Sequence, residues 1–359
     1  MTILILHYRS KHLYPPLLNM ISYFEANNLD FKLLTGKELI ATRSNIANKI
    51  ISLLDYFIYT VKALLYLMSH PKNVFYFESV SVFPLLIFEK VFRLLNIDIF
   101  VHYHEYFSKE DYKKQSVFER LGRKYELPIL KSARWISHTN NDRLNFFKND
   151  FPTLDISKLQ VMPNYPSRLW SIESSKYASK ENVRGNNTIK LLYIGSLSFE
   201  GMYLNEILTQ YGNNNKFEIT FYSHTSNKKI INTLNSYKNV EYKGSINYID
   251  IPSLRGLYDV GLVLYKANSL NVKYCAPNKI FEYLALDLDV WCSDKLITAQ
   301  DYIIEKTFPK MLLVDFANLD TFQFREALSK KGLYYKQSPY FCEEVYATLL
   351  EKFDEDINT

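Results

Sequence analysis

Three cysteines in 359 residues, Cys275, Cys292 and Cys342, are too few and too oddly spaced for a disulfide framework or a zinc site. A reducing, cytoplasmic setting fits such usage. No leader is expected, because Ile3-Leu-Ile-Leu6 is too short for a signal-peptide core and runs into His7-Tyr-Arg9 in place of a cleavage site. That segment reads as a first strand. No long apolar run is free of charge. The most apolar region, Ile46 to Met68, is interrupted by Lys49, Asp55 and Lys62, so it makes a poor spanning helix and a better buried or interfacial one. Charge of one sign is scarcely in excess, with 43 basic against 38 acidic residues and a net +5. This balance leans mildly towards anionic surfaces and is too weak to indicate nucleic acid. Internal repeats and low-complexity tracts are absent.

What is present is globular. Hydrophobic residues make up 47% and charged residues 23%, and the length allows two domains with a core in each. Aromatic side chains are abundant, with 29 Tyr and 24 Phe, and most are expected in cores, where aromatics dominate packing.

The most informative stretch is Ala276-Pro-Asn-Lys-Ile-Phe-Glu-Tyr-Leu-Ala285. Gly261 to Tyr265 before it and Val290 to Cys292 after it read as buried strands. Pro277 suits a first helical position, where its missing N–H would have no partner. Ile280, Phe281, Leu284 and Ala285 then share an apolar face, and Asn278 and Glu282 share another. A strand, helix and strand in this order form a right-handed crossover that opens the helix N-terminus at the strands' carboxyl ends, where phosphates bind.

The string Pro277 to Ala285 resembles the P-N-K-x-F-E-Y-x-A signature of GT-B nucleotide-sugar glycosyltransferases, especially those similar to glycosyltransferase family 4. The resemblance implies an α/β fold of two Rossmann-like domains whose parallel sheets face each other across a cleft. It also implies a donor site in which Glu282 binds the ribose and Pro277, Asn278 and Lys279 open the helix towards the diphosphate. Three departures are local. Tyr274 stands where many members carry a second acid eight residues before Glu282, and Asp287 and Asp289 stand at a Gly and a Pro position. Aspartate tolerates the left-handed conformation, so the turn at Asp287 survives.

Along the chain, the loop His7 to Pro16 carries His7, Arg9, Lys11 and His12 but no glycine, where the family often has a glycine-rich loop. Arg9 either meets a diphosphate or acidic acceptor or is solvated. Val82 to Leu95 repeats the apolar character of Ile46 to Met68, and the two either pack on a sheet or dock on a bilayer. Val74 to Phe77 and Ile97 to His102 read as strands, the second entering His102-Tyr-His-Glu105. His104 and Glu105 are the candidate catalytic pair, an imidazole beside a carboxylate near neutral pH, or else a polar pair that ends a strand. Lys109 to Arg134 is a basic run with a helix expected from Ser116 to Lys131, and Leu159 to Asn164 is a strand ending in a V-x-P-N-like turn.

The expected organisation is an acceptor-binding domain over residues 1–168, a linker over 169–188, a donor-binding domain over 189–339 and a closing helix over 340–359. In the donor domain, Ile189 to Ile194 delivers Gly195-Ser196 to a helix from about Met202. The family's diphosphate-binding Arg and Lys are missing here. Gly195 and Ser196 still offer backbone N–H groups, with Lys266, Lys273 or Lys279 as alternative sources of charge. Ser223 ends the next strand, which the resemblance places on the approach to the nucleotide, and Tyr248 to Tyr258 is expected to be helical.

The resemblance implies a metal-independent, retaining transferase with no cofactor beyond its nucleotide diphosphate sugar donor. Its acceptor would be a glycan or lipid-linked glycoconjugate, used in surface polysaccharide synthesis at the inner face of a membrane. A non-catalytic sugar-nucleotide or glycan-binding subunit and a nucleotide-sugar epimerase are the alternatives.

Overall fold

The computed structural model describes residues 2–9, 14–36, 46–69, 71–171, 188–329 and 333–354. Lys11, His12 and nearly all of the expected linker lie outside them. The chain divides into two compact units, Met1–Asn164 with Glu343–Thr359, and Tyr165–Cys342. The first division therefore falls after Asn164, ahead of residue 169.

The first unit carries a six-stranded parallel sheet in the order β2-β1-β3-β4-β5-β6. The strands are β1 (Thr2–His7), β2 (Asp30–Thr35), β3 (Asn73–Phe77), β4 (Asp98–Tyr103), β5 (Trp135–His138) and β6 (Leu159–Val161). Central strands read as nearly continuous apolar runs because both faces are covered, and every residue of β3 is buried. The covering helices include α1 (Pro15–Ala26), α2 (Ile46–Leu67) and α3 (Phe83–Leu95). In α2, Tyr56, Tyr59, Ala63 and Leu67 are buried in the same core as Leu4, Val74 and Val101. By length and composition alone Ile50–Leu67 would suffice to cross a membrane, contrary to the reading from its charges. Its packed stripe instead ties it to this core.

The helix expected over Ser116 to Lys131 is two helices. After α4 (Lys109–Tyr112), α5 (Val117–Tyr125) stops at the buried Glu126, and α6 (Leu127–Ser132) starts afresh with Pro128 in its first turn. Glu126 accepts hydrogen bonds from Tyr103 (2.9 Å) and Arg123 (3.2 Å), and Pro128 lacks the N–H that a continuous helix would use. α7 (Asn141–Asp150) follows β5, and β6 ends at Val161, short of Asn164.

The second unit has the order β12-β11-β10-β7-β8-β9. Its strands are β7 (Ile189–Ile194), β8 (Phe217–Tyr222), β9 (Val240–Tyr242), β10 (Val260–Val263), β11 (Asp289–Ser293) and β12 (Met311–Val314), again all parallel where paired. Its helices are α8 (Leu204–Tyr211), α9 (Lys228–Asn235), α10 (Leu270–Lys273), α11 (Asn278–Ala285) and α12 (Phe324–Ala327). The stretch expected to be helical from Tyr248 to Tyr258 is a 3-10 helix over Tyr248–Leu254, where Pro252 removes a donor inside it. The closing helix α13 (Cys342–Asp354) packs on the first unit, where Tyr346 donates to the Pro16 carbonyl at 2.9 Å and the Phe353 ring meets Phe24 and Phe100.

Candidate functional site

In the second sheet β7 lies between β10 and β8, so the winding reverses between β7 and β10. Ligand crevices in open parallel sheets form at such a reversal, outside the carboxyl ends of the strands. β7 ends there in Gly195-Ser196. Gly195 has φ +152°, a backbone that side-chain-bearing residues rarely adopt. Its N–H donates to the Tyr222 carbonyl at 3.0 Å, and the Tyr193 hydroxyl donates to the Ser196 carbonyl at 2.5 Å. Further along, Lys266 N–H donates to the Gly201 carbonyl (2.9 Å) and the Asn268 amide to Glu200 (2.9 Å), pinning the loop to the exit of β10.

The signature helix α11 begins at Asn278, and Pro277 is extended (φ −62°, ψ 140°) just before it, one residue earlier than expected for its role. Ile280, Phe281, Leu284 and Ala285 are buried, as the spacing requires. Tyr283 sets how closely the helix docks. Its ring lies against Gly261 of β10, where a Cβ would come within 2.2 Å, and its hydroxyl accepts the Ile194 N–H at 2.9 Å. The helix is thereby held to β10 and β7 together, which brings its N-terminal end to the side of the sheet where Gly195-Ser196 emerges.

Several of the remaining donor-side candidates have defined partners. Glu282 is only 1% exposed, and its carboxylate pairs with Lys279. Lys266 pairs with Glu206 at 2.8 Å, whereas Lys273 is exposed with its ammonium 6.0 Å from the Tyr274 ring. Tyr274 itself caps α10. Ser223 N–H donates to the Gly244 carbonyl at 2.7 Å, while its buried hydroxyl has no partner among the described residues. Asp287 has φ +56°, the left-handed turn anticipated for it, and is held by Arg255 and by the Tyr335 hydroxyl (3.1 Å). Asp289 is buried and accepts from Lys310 N–H (2.8 Å) and from Ser329 N–H (2.7 Å). Both aspartates serve the turn and the sheet edge.

In the first unit the reversal falls between β1 and β3. The carboxyl ends there carry His7 and Arg9, Glu78, and, one strand further, His104 and Glu105. His104 is half-buried, and its Nδ1 meets the Asn164 amide, not Glu105. Burial first, then the positive Arg143, hold the imidazole down to about 3, with Asn164 opposing. His104 is thus a neutral hydrogen-bonding ring at pH 7, held by Asn164 and not by Glu105. The carboxyl that meets this main chain is Glu78, which sequence reasoning passed over. Its Oε1 accepts the N–H of His104 at 2.7 Å and of Glu105 at 3.4 Å. Burial, reinforced by Glu119, raises Glu78 to about 8 and Glu119 itself to about 7, with Arg9 opposing both. Arg9 lies 3.6 Å from Glu119 with its side chain about half exposed, so it is neither free nor simply solvated. Among the described residues no group of three His, Cys, Asp or Glu side chains is placed to hold a metal ion.

No family model matches the sequence, and a search of curated proteins finds no match either. Solved structures do resemble it. The structure of HepE from Anabaena in complex with UDP and glucose is similar with a TM-score of 0.63 at 10% identity, covering 99% of each chain. Sucrose-phosphate synthase from Thermosynechococcus elongatus gives 0.64 at 12% identity, again over 99% of each chain. UDP-GlcNAc 2-epimerase from Neisseria meningitidis, bound to UDP-GlcNAc, gives 0.55 at 13% identity, covering 99% of this chain and all of that one. At such identities the likeness is one of fold, and the fold is that of GT-B nucleotide-sugar enzymes, two Rossmann-like domains each built on a six-stranded parallel sheet.

Proposed function

We propose that the protein is a glycosyltransferase that takes a sugar from a nucleotide diphosphate sugar and passes it to an acceptor held by the first unit. The observation that supports this reading is that Gly195-Ser196 follows β7, Ser223 with its unpartnered buried hydroxyl follows β8, and α11 opens after β10, so all three belong to the carboxyl ends of neighbouring strands. The Gly195 N–H is taken by the Tyr222 carbonyl, so the Ser196 N–H and the positive helix end are what suit a departing diphosphate, and Glu282 suits a ribose once its carboxylate is shared with Lys279. HepE and the epimerase were both solved with uridine nucleotides, which makes UDP-sugars the first donors to test. A nucleotide sugar at a hundred times its dissociation constant stabilises the fold by about 2.7 kcal/mol, so a thermal-shift screen tests the reading. No shift with any nucleotide sugar rejects it.

The epimerase has its own support in the same likeness, and the binding subunit in the pairing of Lys266 and Lys279, which leaves the diphosphate few cations. Interconversion of a UDP-sugar without acceptor identifies the first, and binding without turnover the second. For the transferase we infer retention of configuration and independence of divalent metal.

The acceptor reading is a glycan or lipid-linked molecule at an anionic membrane face. Its support lies on α2, where Ile50, Leu53, Leu54, Phe57, Val61 and Leu65 are exposed along one side. Phe118 of α5 stacks on Tyr56 of α2 at 3.9 Å. Beside that contact, residues 109–131 expose Lys109, Lys113, Lys114, Arg120, Lys124 and Lys131 against a single exposed acid, Glu110. An exposed apolar helix face and a basic run in the same unit fit a bilayer interface with anionic headgroups.

A further inference from the structure

Glu78 stands where the fold gives up stability twice. Its backbone has φ +61° and ψ 154°, a conformation free to glycine and strained for any residue with a Cβ. Its carboxyl is also buried, and Oε2 has no partner among the described residues. A glycine would remove both penalties, and a sequence shaped by stability alone has no reason to keep a glutamate there. Strain held at the carboxyl ends of a sheet, beside a reversal of winding, points to a role at a site.

The role follows from what Oε1 touches. It accepts two successive main-chain N–H groups, His104 (2.7 Å) and Glu105 (3.4 Å), at the exit of β4. Residue 104 is then held on three sides. Glu78 takes its N–H, Arg143 of α7 donates to its carbonyl at 2.6 Å, and Asn164 meets its ring. We propose that Glu78 is a positioning residue, whose carboxyl clamps the His104-Glu105 main chain in its working arrangement and accounts for the strain retained at position 78. The proposal rests on the reading of His104 and Glu105 as acting residues of the transferase.

The surroundings also set the protonation state of the clamp. Burial comes first, then the carboxylates of Glu119, in α5, and Glu105, after β4, with Arg9 at the end of β1 and the His104 N–H opposing and the uncharged Tyr14 hydroxyl facing Glu78 from before α1. A carboxyl so surrounded keeps its proton at neutral pH. The oxygen that accepts two N–H groups is then the carbonyl oxygen, and Oε2 carries the hydrogen. Glutamine reproduces this neutral form in shape, and glycine removes the clamp while relieving the backbone.

The test compares Glu78→Gln and Glu78→Gly with the wild type in amide hydrogen exchange at residues 104 and 105, thermal melting, UDP binding and UDP-sugar turnover. Glu78→Gln should keep exchange protection and turnover within about threefold and lose any fall of rate near pH 8. Glu78→Gly should melt at or above the wild-type temperature yet lose protection at both amides. Its kcat should drop by on the order of tenfold or more, as small misplacements of reacting groups do, with UDP affinity unchanged. Undiminished protection in Glu78→Gly overturns the clamp, and so does an equal loss of protection in Glu78→Gln. A lower melting temperature in Glu78→Gly with normal turnover makes Glu78 a structural residue and rejects the proposal as well. If the wild type turns over no UDP-sugar, the transferase reading fails, while the exchange and melting arms still decide the clamp.

Discussion

The ring of Tyr283 occupies the space that a side chain on Gly261 would need, with a Cβ placed there only 2.2 Å from the ring carbons. The ring is fully buried and its hydroxyl is held by the Ile194 N–H, so it has nowhere to retreat. Gly261→Ala should therefore push α11 off β10 and β7, costing roughly 1–3 kcal/mol as overpacked cores do. Since the same helix opens at the candidate donor site, UDP binding should weaken along with the denaturation midpoint. Unchanged stability in urea titration would show that the helix docks with slack. Tyr283→Phe separates the two contributions, because it keeps the packing and removes only the hydroxyl that accepts from Ile194.

Glu282 tests the ribose reading. It is buried and paired with Lys279, so it would be an ordinary buried ion pair if no ligand used it. Glu282→Ala should weaken UDP binding by about 1.5–3 kcal/mol, the range for hydrogen bonds to charged groups, beyond any loss of stability. Calorimetry that finds equal affinity, with the variant folded, assigns Glu282 to the helix alone. Lys279→Met should then lower stability more than affinity, since it strands the carboxylate in the interior.

The sheets and the signature helix were legible because burial on both faces leaves apolar runs that local pattern reveals. Val74 to Phe77 and Ile189 to Ile194 needed no tertiary information. Asp287 was legible as well, since its left-handed turn follows from its place after a helix. Glu78 was not. A lone carboxylate after a strand carries no periodic signal, and its partners lie 26 and 27 residues away. The break at Glu126 escaped for a similar reason, because Tyr103, 23 residues away, reaches it through the fold. Pro128 is a local signal, since a proline inside the span from Ser116 to Lys131 marks where a fresh helix can begin.

Buried titrating groups predict a dome in stability against pH. His7 is held down to about 4 and His104 to about 3 by burial, against 6.5 unfolded, so the unfolded chain binds the extra protons and stability falls as pH drops below 6.5. Glu78 acts oppositely. Its carboxyl is raised from 4.5 to about 8, so its full contribution is present below 4.5 and is lost as pH rises through 8. Glu78→Gln should flatten the alkaline side of the melting profile by at least about 1.4 kcal/mol, the equivalent of one pKa unit. The acid side should stay as it is. A profile that falls equally in wild type and variant between pH 6 and 8 would place the proton elsewhere.

Metal independence is a separate expectation. The proposed stabilisation of the leaving diphosphate uses backbone N–H groups and a helix end, so UDP-sugar turnover should be unaffected by EDTA. Activity lost in EDTA and restored by magnesium or manganese would require carboxylates that this account leaves in structural or positioning roles, and would overturn it.

The exposed side of α2 gives the last prediction. Phe57 is 63% exposed and Leu54 56%, on a helix whose opposite side is sealed into the core by Tyr56, Tyr59 and Ala63. Replacing an exposed side chain here should leave the fold intact, which separates surface effects from stability. Entry of such side chains into an interface is worth about 1.5–3 kcal/mol each, and each nearby Lys or Arg adds about 1 kcal/mol on anionic lipid. The protein should therefore sediment with vesicles containing phosphatidylglycerol and far less with pure phosphatidylcholine. Binding should weaken with salt, since exposed charges are screened over about 10 Å at 0.1 M. Phe57→Glu should abolish vesicle binding with no change in melting temperature, whereas Arg120→Glu with Lys124→Glu should reduce only the preference for anionic lipid. Two results count against a bilayer. Vesicle binding indifferent to lipid charge and to Phe57→Glu removes α2 as the contact. A concentration-dependent dimer that Phe57→Glu dissociates, with no vesicle binding, gives that face to a second copy of the chain and leaves the acceptor without its membrane.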